Sequence, residues 1–236
     1  MSGVFSHRWA FDLSASVYDW LTEQSVWRTQ IRKVLDYDTQ STLPLRVLDL
    51  GCGPGGSTFV LGHDLGPNTQ VVGIDYAIKM VQRARRHHNQ RHQSLSNVRF
   101  LREDATQLSF PDDHFDLIVG HSFLYLVADP LAVLKEVKRV LRPEGQIVLM
   151  EPKDGGSFRR GFRSQFDLEQ AISNTSIETF KFWTSMGTWR IVSTVQGRWT
   201  DADLHAVFAN AGLQVDLHPT LGGMGVHCVG SMTTAP

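Results

Sequence analysis

Short apolar runs alternate with amphipathic stretches along most of this chain. Seven of the runs have the length of strands, and we predict strands at residues 45–50, 70–75, 97–101, 115–120, 145–150, 213–217 and 226–232. Helical spacing of apolar residues predicts helices at residues 57–65, 77–90, 129–141 and 204–211. Strands that alternate with helices favour a parallel sheet that is covered on both faces. We therefore predict an α/β protein with a doubly wound, mostly parallel, seven-stranded sheet.

Three segments fall outside this regular alternation. Apolar residues between Ser16 and Leu35 have a roughly helical spacing, which predicts one or two helices ahead of the sheet. Residues 36–44 are polar and end in proline, which is typical of a linker. Residues 152–199 lack the alternation and are predicted to form an insertion before the sixth strand. The predicted organisation is an N-terminal helical segment, residues 1–44, followed by one α/β domain, residues 45–236.

Local signals mark several ends of these elements. Residues 141–145 contain a proline and a glycine, which predicts a stop between the third helix and the strand that follows it. Residues 200–203 are predicted to form the N-cap of the last helix, and Gly212 fits the C′ position that follows its end.

A glycine-rich loop follows the first predicted strand. Asp49 stands near the end of that strand, and Gly51, Cys52 and Gly53 lead into the loop. Glycines allow positive φ and a close approach of the backbone to a ligand. Loops at the carboxyl ends of parallel strands are where open α/β sheets bind cofactors. Asp75, at the end of the second predicted strand, is well placed to accept hydrogen bonds from a ribose.

The order of residues around this loop resembles motif I of the class I S-adenosylmethionine-dependent methyltransferases. That motif runs hydrophobic, hydrophobic, acidic, hydrophobic, Gly-x-Gly-x-Gly, and residues 47–55 match it almost unaltered. A nicotinamide enzyme would show Gly-x-Gly-x-x-Gly without the acid, although Gly56 fits its third glycine. A Walker loop would need a lysine before Ser57 or Thr58. A turn that binds no ligand is the structural alternative.

The resemblance implies a set of residues that bind S-adenosylmethionine. Asp75 would bind the ribose hydroxyls, Asp104 would accept from the adenine amino group, and the Ala105 backbone amide would donate to the ring. Asp49 would lie near the methionine end, and Tyr76 and Met80 would pack on the adenine. The alternatives are that Asp75 and Asp104 only cap strand ends, and that Tyr76 and Met80 only pack in the core.

Two further residues are candidate bases. Residues 115–121 resemble motif IV of the same family, the strand that ends beside the transferred methyl group, so His121 is expected near the cofactor. Its imidazole titrates near neutral pH and could accept a proton from the substrate. Glu151, just past the fifth predicted strand, is the second candidate base or substrate contact. Structural roles for both side chains remain open.

The N-terminal residues 11–19 resemble the segment that precedes the domain in small-molecule methyltransferases of the quinone-biosynthesis type. In those relatives this segment folds over the cofactor as a lid, which implies a lid for residues 1–44. Tyr18 would then touch the cofactor, or it would anchor a helix to the core.

The composition excludes several classes of function. A formal net charge of −1 gives no electrostatic basis for binding nucleic acid. The first residues lack the apolar core of a signal peptide, and no apolar run is long enough to span a bilayer. Cys52 and Cys228 fit no metal spacing, and neighbouring histidines such as His87 and His88 point in different directions on a helix. We expect a reduced, cytoplasmic protein without a metal site.

Residues 152–199 are expected to select the substrate. The cluster at 158–163 combines aromatic and basic residues and would suit a planar or anionic small molecule. The aromatic residues further along could line an apolar pocket, or they could form the core of a helical cap whose arginines face water; these are Phe180, Phe182, Trp183, Trp189 and Trp199.

The sequence therefore predicts a methyltransferase that acts on an O, N or C atom of a small molecule. A methyltransferase acting on protein or nucleic acid is the first alternative, although its Asn-Pro-Pro-aromatic motif is absent after the fourth strand. A homologue that binds the cofactor without catalysis is the second. The oligomeric state is not predicted.

Overall fold

A computed structural model describes residues 25–37, 45–165 and 177–232. Within these residues seven strands form one sheet: β1 (Arg46–Leu50), β2 (Gln70–Asp75), β3 (Val98–Arg102), β4 (Phe115–His121), β5 (Leu141–Pro152), β6 (Leu213–Thr220) and β7 (Gly225–Met232). Their order in the sheet is β3-β2-β1-β4-β5-β7-β6. β7 runs antiparallel to both of its neighbours, and the other pairings are parallel.

Helices cover both faces of the sheet. The α-helices of the described residues are α1 (Ser25–Leu35), α2 (Gly56–Asp64), α3 (Ile78–Arg91), α4 (Pro130–Val140), α5 (Phe158–Gln165), α6 (Ile177–Gln196) and α7 (Asp201–Asn210). One buried apolar cluster joins α1, α2 and α3 to one face, and another joins α4 and α7 to the opposite face. Burial on both faces accounts for the apolar runs that the central strands show in the sequence. The predicted α/β fold class is confirmed.

The strand order reverses between β1 and β4. From β1 the chain continues outward to β2 and β3, and it then returns to β4 on the other side of β1. Loops diverge at such a reversal and leave a crevice at the carboxyl edge of the sheet. The topology therefore places the ends of β1 and β4 beside the same crevice.

The caps of α7 agree with the sequence. The Thr200 hydroxyl accepts from the Asp203 amide, and the Asp203 carboxylate accepts from the Thr200 backbone amide, which completes a capping box. Gly212 has a φ of 73°, as a C′ glycine requires. Both predicted helix-end signals are therefore confirmed.

The start of β5 differs from the prediction. The expected stop at residues 141–145 does not separate helix and strand, because β5 already begins at Leu141. Leu141 pairs with Phe115, and the next pair joins Gln146 to Leu117, so the register shifts between them. The proline and glycine lie in this irregular stretch, where a β-bulge removes the need for regular pairing.

The segments outside the sheet are described in part. α1 confirms a helix ahead of the sheet, whereas residues 1–24 and 38–44 of the predicted N-terminal segment lie outside the described residues. The predicted insertion contains α5 and α6. Among the described helices, none combines the length and the apolar character that crossing a bilayer requires.

Candidate active site

A cavity of about 490 Å³ opens at the carboxyl edge of the sheet. Its walls come from the segments that follow β1, β2, β3 and β4, with further contributions from α3 and α4. The lining residues include Gly51, Gly53, Ile74, Asp75, Tyr76, Ala77, Met80, Glu103, Asp104, Ala105, Thr106, Ser122, Phe123, Leu126 and Val127. The topology therefore brings most of the predicted cofactor residues into one cavity.

The glycine loop depends on positive φ angles. Gly51 and Gly53 have φ values of 64° and 53°, in the left-handed region that side chains with a Cβ rarely adopt. A Cβ at Gly51 would also lie 2.4 Å from Cδ2 of Phe123, which is far inside van der Waals contact. Glycine at residue 51 thus lets the loop turn and lets the Phe123 ring close one side of the cavity.

Asp75 ties the loop to the second strand. One of its carboxylate oxygens accepts from the Gly53 amide at 3.0 Å, and the other accepts from the Ala77 amide at 2.8 Å. Burial raises the pKa of Asp75, and these two backbone donors oppose that rise. The proposed cap bonds are present, yet an ionised carboxylate has about four acceptor sites, so two remain for a ligand in the cavity.

Asp49 lies just beneath this loop and is almost fully buried. Its Oδ2 accepts from the hydroxyls of Ser57 and Thr58, both at 2.6 Å, while its Oδ1 is buried and has no partner within the described part of the chain. The pKa of Asp49 is raised to about 6, chiefly by burial and to a smaller extent by Asp75, while the hydrogen bonds from the two hydroxyls oppose this rise. A buried carboxylate oxygen without a donor is an unsatisfied acceptor that a cationic or polar ligand group would satisfy.

The loop after β3 contributes Asp104 and Ala105 to the cavity wall. Asp104 Oδ1 accepts from the Thr106 amide at 2.9 Å and from the Thr106 hydroxyl at 2.7 Å. These bonds match the capping role that the sequence left open. They occupy one oxygen, so the second oxygen is available for a ligand, and both roles fit the geometry.

Tyr76 and Met80 line the cavity in different ways. Tyr76 is half exposed, and the Arg102 guanidinium lies 5.8 Å from its ring centroid. Met80 is buried at the start of α3 and still borders the cavity.

Cys52 is buried and belongs to the apolar cluster under α1 and α2, although its backbone amide donates to the Ile74 carbonyl at 2.8 Å. Tyr18 lies outside the described residues.

His121 is the last residue of β4, and its Nε2 is buried without a partner among the described residues. The edge of the Trp27 ring packs on the imidazole, with 5.5 Å between centroids. The pKa of His121 is lowered to about 3, chiefly by burial and to a smaller extent by His227. A neutral imidazole can accept a hydrogen bond, but so low a pKa disfavours its protonation and weighs against a role as the base. A role as the base stays a prediction.

Glu151 is fully buried on β5, next to the segment after β4. Its carboxylate accepts from three consecutive backbone amides, those of Phe123, Leu124 and Tyr125, at 3.0, 2.7 and 3.1 Å. Burial raises its pKa to about 7, and the three amides oppose that rise. These contacts correspond to the structural alternative, because they fix the segment that carries Phe123 into the cavity wall.

Ser122 and Phe123 are site residues that the sequence did not reveal. Ser122 has a φ of 56°, which is uncommon without glycine, and its hydroxyl accepts from the Trp189 indole at 2.8 Å. Trp27 lies against Trp189, and its indole donates to Ser185 at 2.6 Å. No local motif predicts these contacts, because they join α1 and α6 to the end of β4.

The aromatic residues of the predicted insertion divide into two groups. Trp189 is buried beside the cavity wall, whereas Phe180 and Trp183 are 62% and 42% exposed. Neither Phe180 nor Trp183 is among the residues that line the cavity. Arg159 and Arg160 of α5 are exposed, as in the alternative in which the arginines face water. The described residues contain no group of three or more potential ligands that could hold a metal ion.

Comparison with known proteins explains this arrangement. Residues 43–212 match the family described as methyltransferase domain. The chain belongs to this family. Demethylmenaquinone methyltransferases of Staphylococcus aureus strains JH9 and Newman are 33% identical to the chain over 129 residues, which are 55% of this chain and 50% of each relative. The chain spans about half the length of the curated relatives that it matches.

Solved structures share the fold. A methyltransferase structure from Aquifex aeolicus aligns with 86% of this chain and 89% of its own, with a TM-score of 0.62 and 19% identity. A structure of a methyltransferase activator in complex with a methyltransferase, from Haloferax volcanii, aligns with 98% of this chain and 99% of its own. Its TM-score is 0.67 and its identity is 21%. The cyclase SpnF aligns with a TM-score of 0.65 and 17% identity. These likenesses confirm the predicted fold, and the cyclase shows that the fold alone does not fix the chemistry.

Proposed function

We propose that this protein transfers the methyl group of S-adenosylmethionine to an O, N or C atom of a small molecule. The observation that supports this most strongly is the hydrogen bond from the Gly53 amide to Asp75 at the mouth of the cavity. It joins the glycine loop to the acidic end of β2, the two parts of the sequence that resemble the cofactor motif.

The residues present fit this cofactor. Asp75 and Asp104 offer free acceptor sites for ribose hydroxyls and for an adenine amino group. Asp49 Oδ1, which has no partner among the described residues, suits an ammonium group. Such a group would donate a hydrogen bond to this buried acceptor. Tyr76 and Met80 provide apolar surface for a purine.

When bound, S-adenosylmethionine supplies an electrophilic methyl group. The chain itself would position the acceptor and exclude water, which are the main requirements of an in-line displacement. The His121 imidazole at the end of β4 would accept a hydrogen bond from the methyl acceptor, since its lowered pKa leaves it neutral and makes it a weak acceptor of a proton. Trp27 and Trp189 pack beside it and would keep water away.

The acceptor is proposed only at the level of its chemistry. Relatives of this chain are named demethylmenaquinone methyltransferases, which supports a small acceptor with a planar ring. The exposure of Arg159 and Arg160 gives no support to the expectation that these arginines bind an anionic group inside the cavity.

Calorimetric titration with S-adenosylhomocysteine tests the proposal. We expect one saturable site per chain, and Asp75→Ala should weaken it roughly tenfold or more, since hydrogen bonds to a charged group are lost. Asp216→Ala, which removes an exposed carboxylate from β6, is the matched control and should leave the affinity unchanged. Saturable binding of NAD without binding of S-adenosylhomocysteine would overturn the proposed function.

A further inference from the structure

Helix α6 carries an unusual concentration of exposed apolar side chains. Five large apolar side chains are exposed in the described residues, and one of them, Tyr76, lines the cavity. The other four are all on α6: Phe180 at 62%, Trp183 at 42%, Ile191 at 67% and Val195 at 52%. We call these four residues the outer stripe.

The outer stripe is not the face that holds α6 in the fold. At roughly 100° per residue, its four side chains project within an arc of about 120° and extend along about 22 Å of helix. The opposite face carries Met186, Trp189 and Ser193, which are buried against the rest of the protein. An apolar helix face turned toward solvent on this scale indicates a binding surface.

Positive charge lies beside the outer stripe. The Phe158 ring of α5 packs against the Trp183 ring with 5.8 Å between centroids, so the two helices touch at this point. The next two residues, Arg159 and Arg160, are exposed, and neither forms an ion pair within the described part of the chain. From Phe180 to its end, α6 contains no acidic residue.

We propose that the outer stripe, together with Arg159 and Arg160, is a docking surface for an anionic lipid bilayer. The apolar side chains enter the boundary between headgroups and acyl chains, as the apolar face of an interfacial helix does. The two guanidinium groups bind lipid phosphates, for which the planar guanidinium is well suited. The inference uses no property of the cavity and does not depend on the proposed function.

Charge favours a bilayer over a second copy of the chain. A two-fold contact would place the same surface on both sides of the interface. The arginines of both copies would then approach a surface whose helix offers no carboxylate beyond Phe180. An anionic bilayer supplies the negative charge that this surface lacks, along with an apolar phase for the outer stripe.

Sedimentation of the full chain with lipid vesicles tests the apolar part of this proposal. We expect binding to vesicles of phosphatidylcholine mixed with phosphatidylglycerol, little binding to phosphatidylcholine alone, and weaker binding as salt is added. Ile191→Glu should lower the partition coefficient roughly tenfold or more, because it replaces a buried apolar contact with a charge. Circular dichroism verifies the fold, and Val195→Glu replaces this variant if it does not fold.

Charge reversal at Arg159 and Arg160 tests the basic part of the proposed docking surface. Arg159→Glu combined with Arg160→Glu should also lower binding to anionic vesicles by roughly tenfold or more. Arg86→Glu is the matched control, because Arg86 is an exposed arginine on α3, which packs on β2 and β3 far along the sheet from β6. It reverses one charge outside the proposed surface, so it is compared with Arg159→Glu alone, and it should bind more tightly than that single variant.

Three results would overturn the proposal. The full chain could fail to sediment with anionic vesicles, or the variants of the outer stripe and of the arginines could bind as the unaltered chain does. Sedimentation velocity could also reveal a stable dimer that Ile191→Glu dissociates, which would assign the surface to self-association instead.

Discussion

Two sides of the cavity are built in different ways. On the side of the glycine loop, polar contacts join residues that are close in sequence. The Ser57 hydroxyl reaches Asp49 across 8 residues, the Thr106 amide reaches Asp104 across 2, and the Gly53 amide reaches Asp75 across 22. The side formed by α1 and α6 depends on distant contacts, since Trp189 reaches Ser122 across 67 residues and Trp27 reaches Ser185 across 158.

The difference follows from what each side has to do. Binding of a common cofactor needs a tight turn and a few carboxylates at strand ends, and a short motif encodes both. The side formed by α1 and α6 has to fit the shape of the acceptor. That shape comes from the packing of helices, which is set only in the folded chain. A short motif can therefore identify the cofactor side, and it leaves the acceptor side open.

Removal of the Glu151 carboxylate should have the largest effect, because it holds the segment where the two sides meet. Glu151→Ala leaves three backbone amides unsatisfied in the core and creates a cavity, so we expect a loss of about 3–5 kcal/mol in the free energy of unfolding. Urea denaturation measures this loss. Glu144→Ala, an exposed position on the same strand, is the control. Equal losses in both variants would contradict the positioning role.

The pH dependence of stability should reveal the buried carboxyl on the glycine-loop side. Because the folded protein raises the pKa of Asp49 to about 6 from 3.8, the native state holds this proton more tightly than the unfolded chain. The Asp49 contribution to stability is complete below the unfolded pKa, and it falls by about 3 kcal/mol as pH rises through the folded pKa.

Asp49→Asn isolates this contribution, since an amide does not titrate and its oxygen can still accept from Ser57 and Thr58. Urea denaturation at several pH values should show a flatter profile for this variant between about pH 4 and pH 6. Asp216→Asn, on the exposed face of β6, should keep the original slope. Parallel profiles for all three proteins would show that Asp49 does not titrate in this range.

Gly51→Ala tests the close approach of the loop to Phe123. A left-handed φ costs alanine about 1 kcal/mol, and the contact at 2.4 Å adds to this, so we expect a loss of about 2 kcal/mol in stability. Weaker binding of S-adenosylhomocysteine should accompany it. Gly66→Ala is matched in φ at 80° but has open space around its Cβ position, so it should cost only about 1 kcal/mol.

Trp189→Phe should have the smallest effect and tests the α1 and α6 side. It keeps the aromatic ring and removes the indole donor to Ser122, so we expect a loss of about 1 kcal/mol in the free energy of unfolding. Affinity for S-adenosylhomocysteine should stay nearly constant, because the bond involves none of the predicted cofactor-binding side chains. Trp183→Phe, at an exposed position on the same helix, should change stability by less than about 0.5 kcal/mol.

Elements with strong local signals were predicted well. The bounds of β2 match the predicted 70–75, and the last helix begins after its predicted N-cap. The predicted stop agrees with the end of α4 at Val140 but not with the start of the strand, because β5 begins at Leu141 and its regular pairing with β4 starts only at Gln146.

The sequence alone determined the fold class, the glycine loop and the carboxylates at the ends of β2 and β3. These features depend on local conformation and on the period of apolar residues, which act over a few residues at a time. Only the tertiary structure decided that Glu151 binds three backbone amides, that Ser122 accepts from Trp189, and that α6 carries an exposed apolar stripe. The physical reason is that burial and long-range hydrogen bonds depend on which distant segments meet.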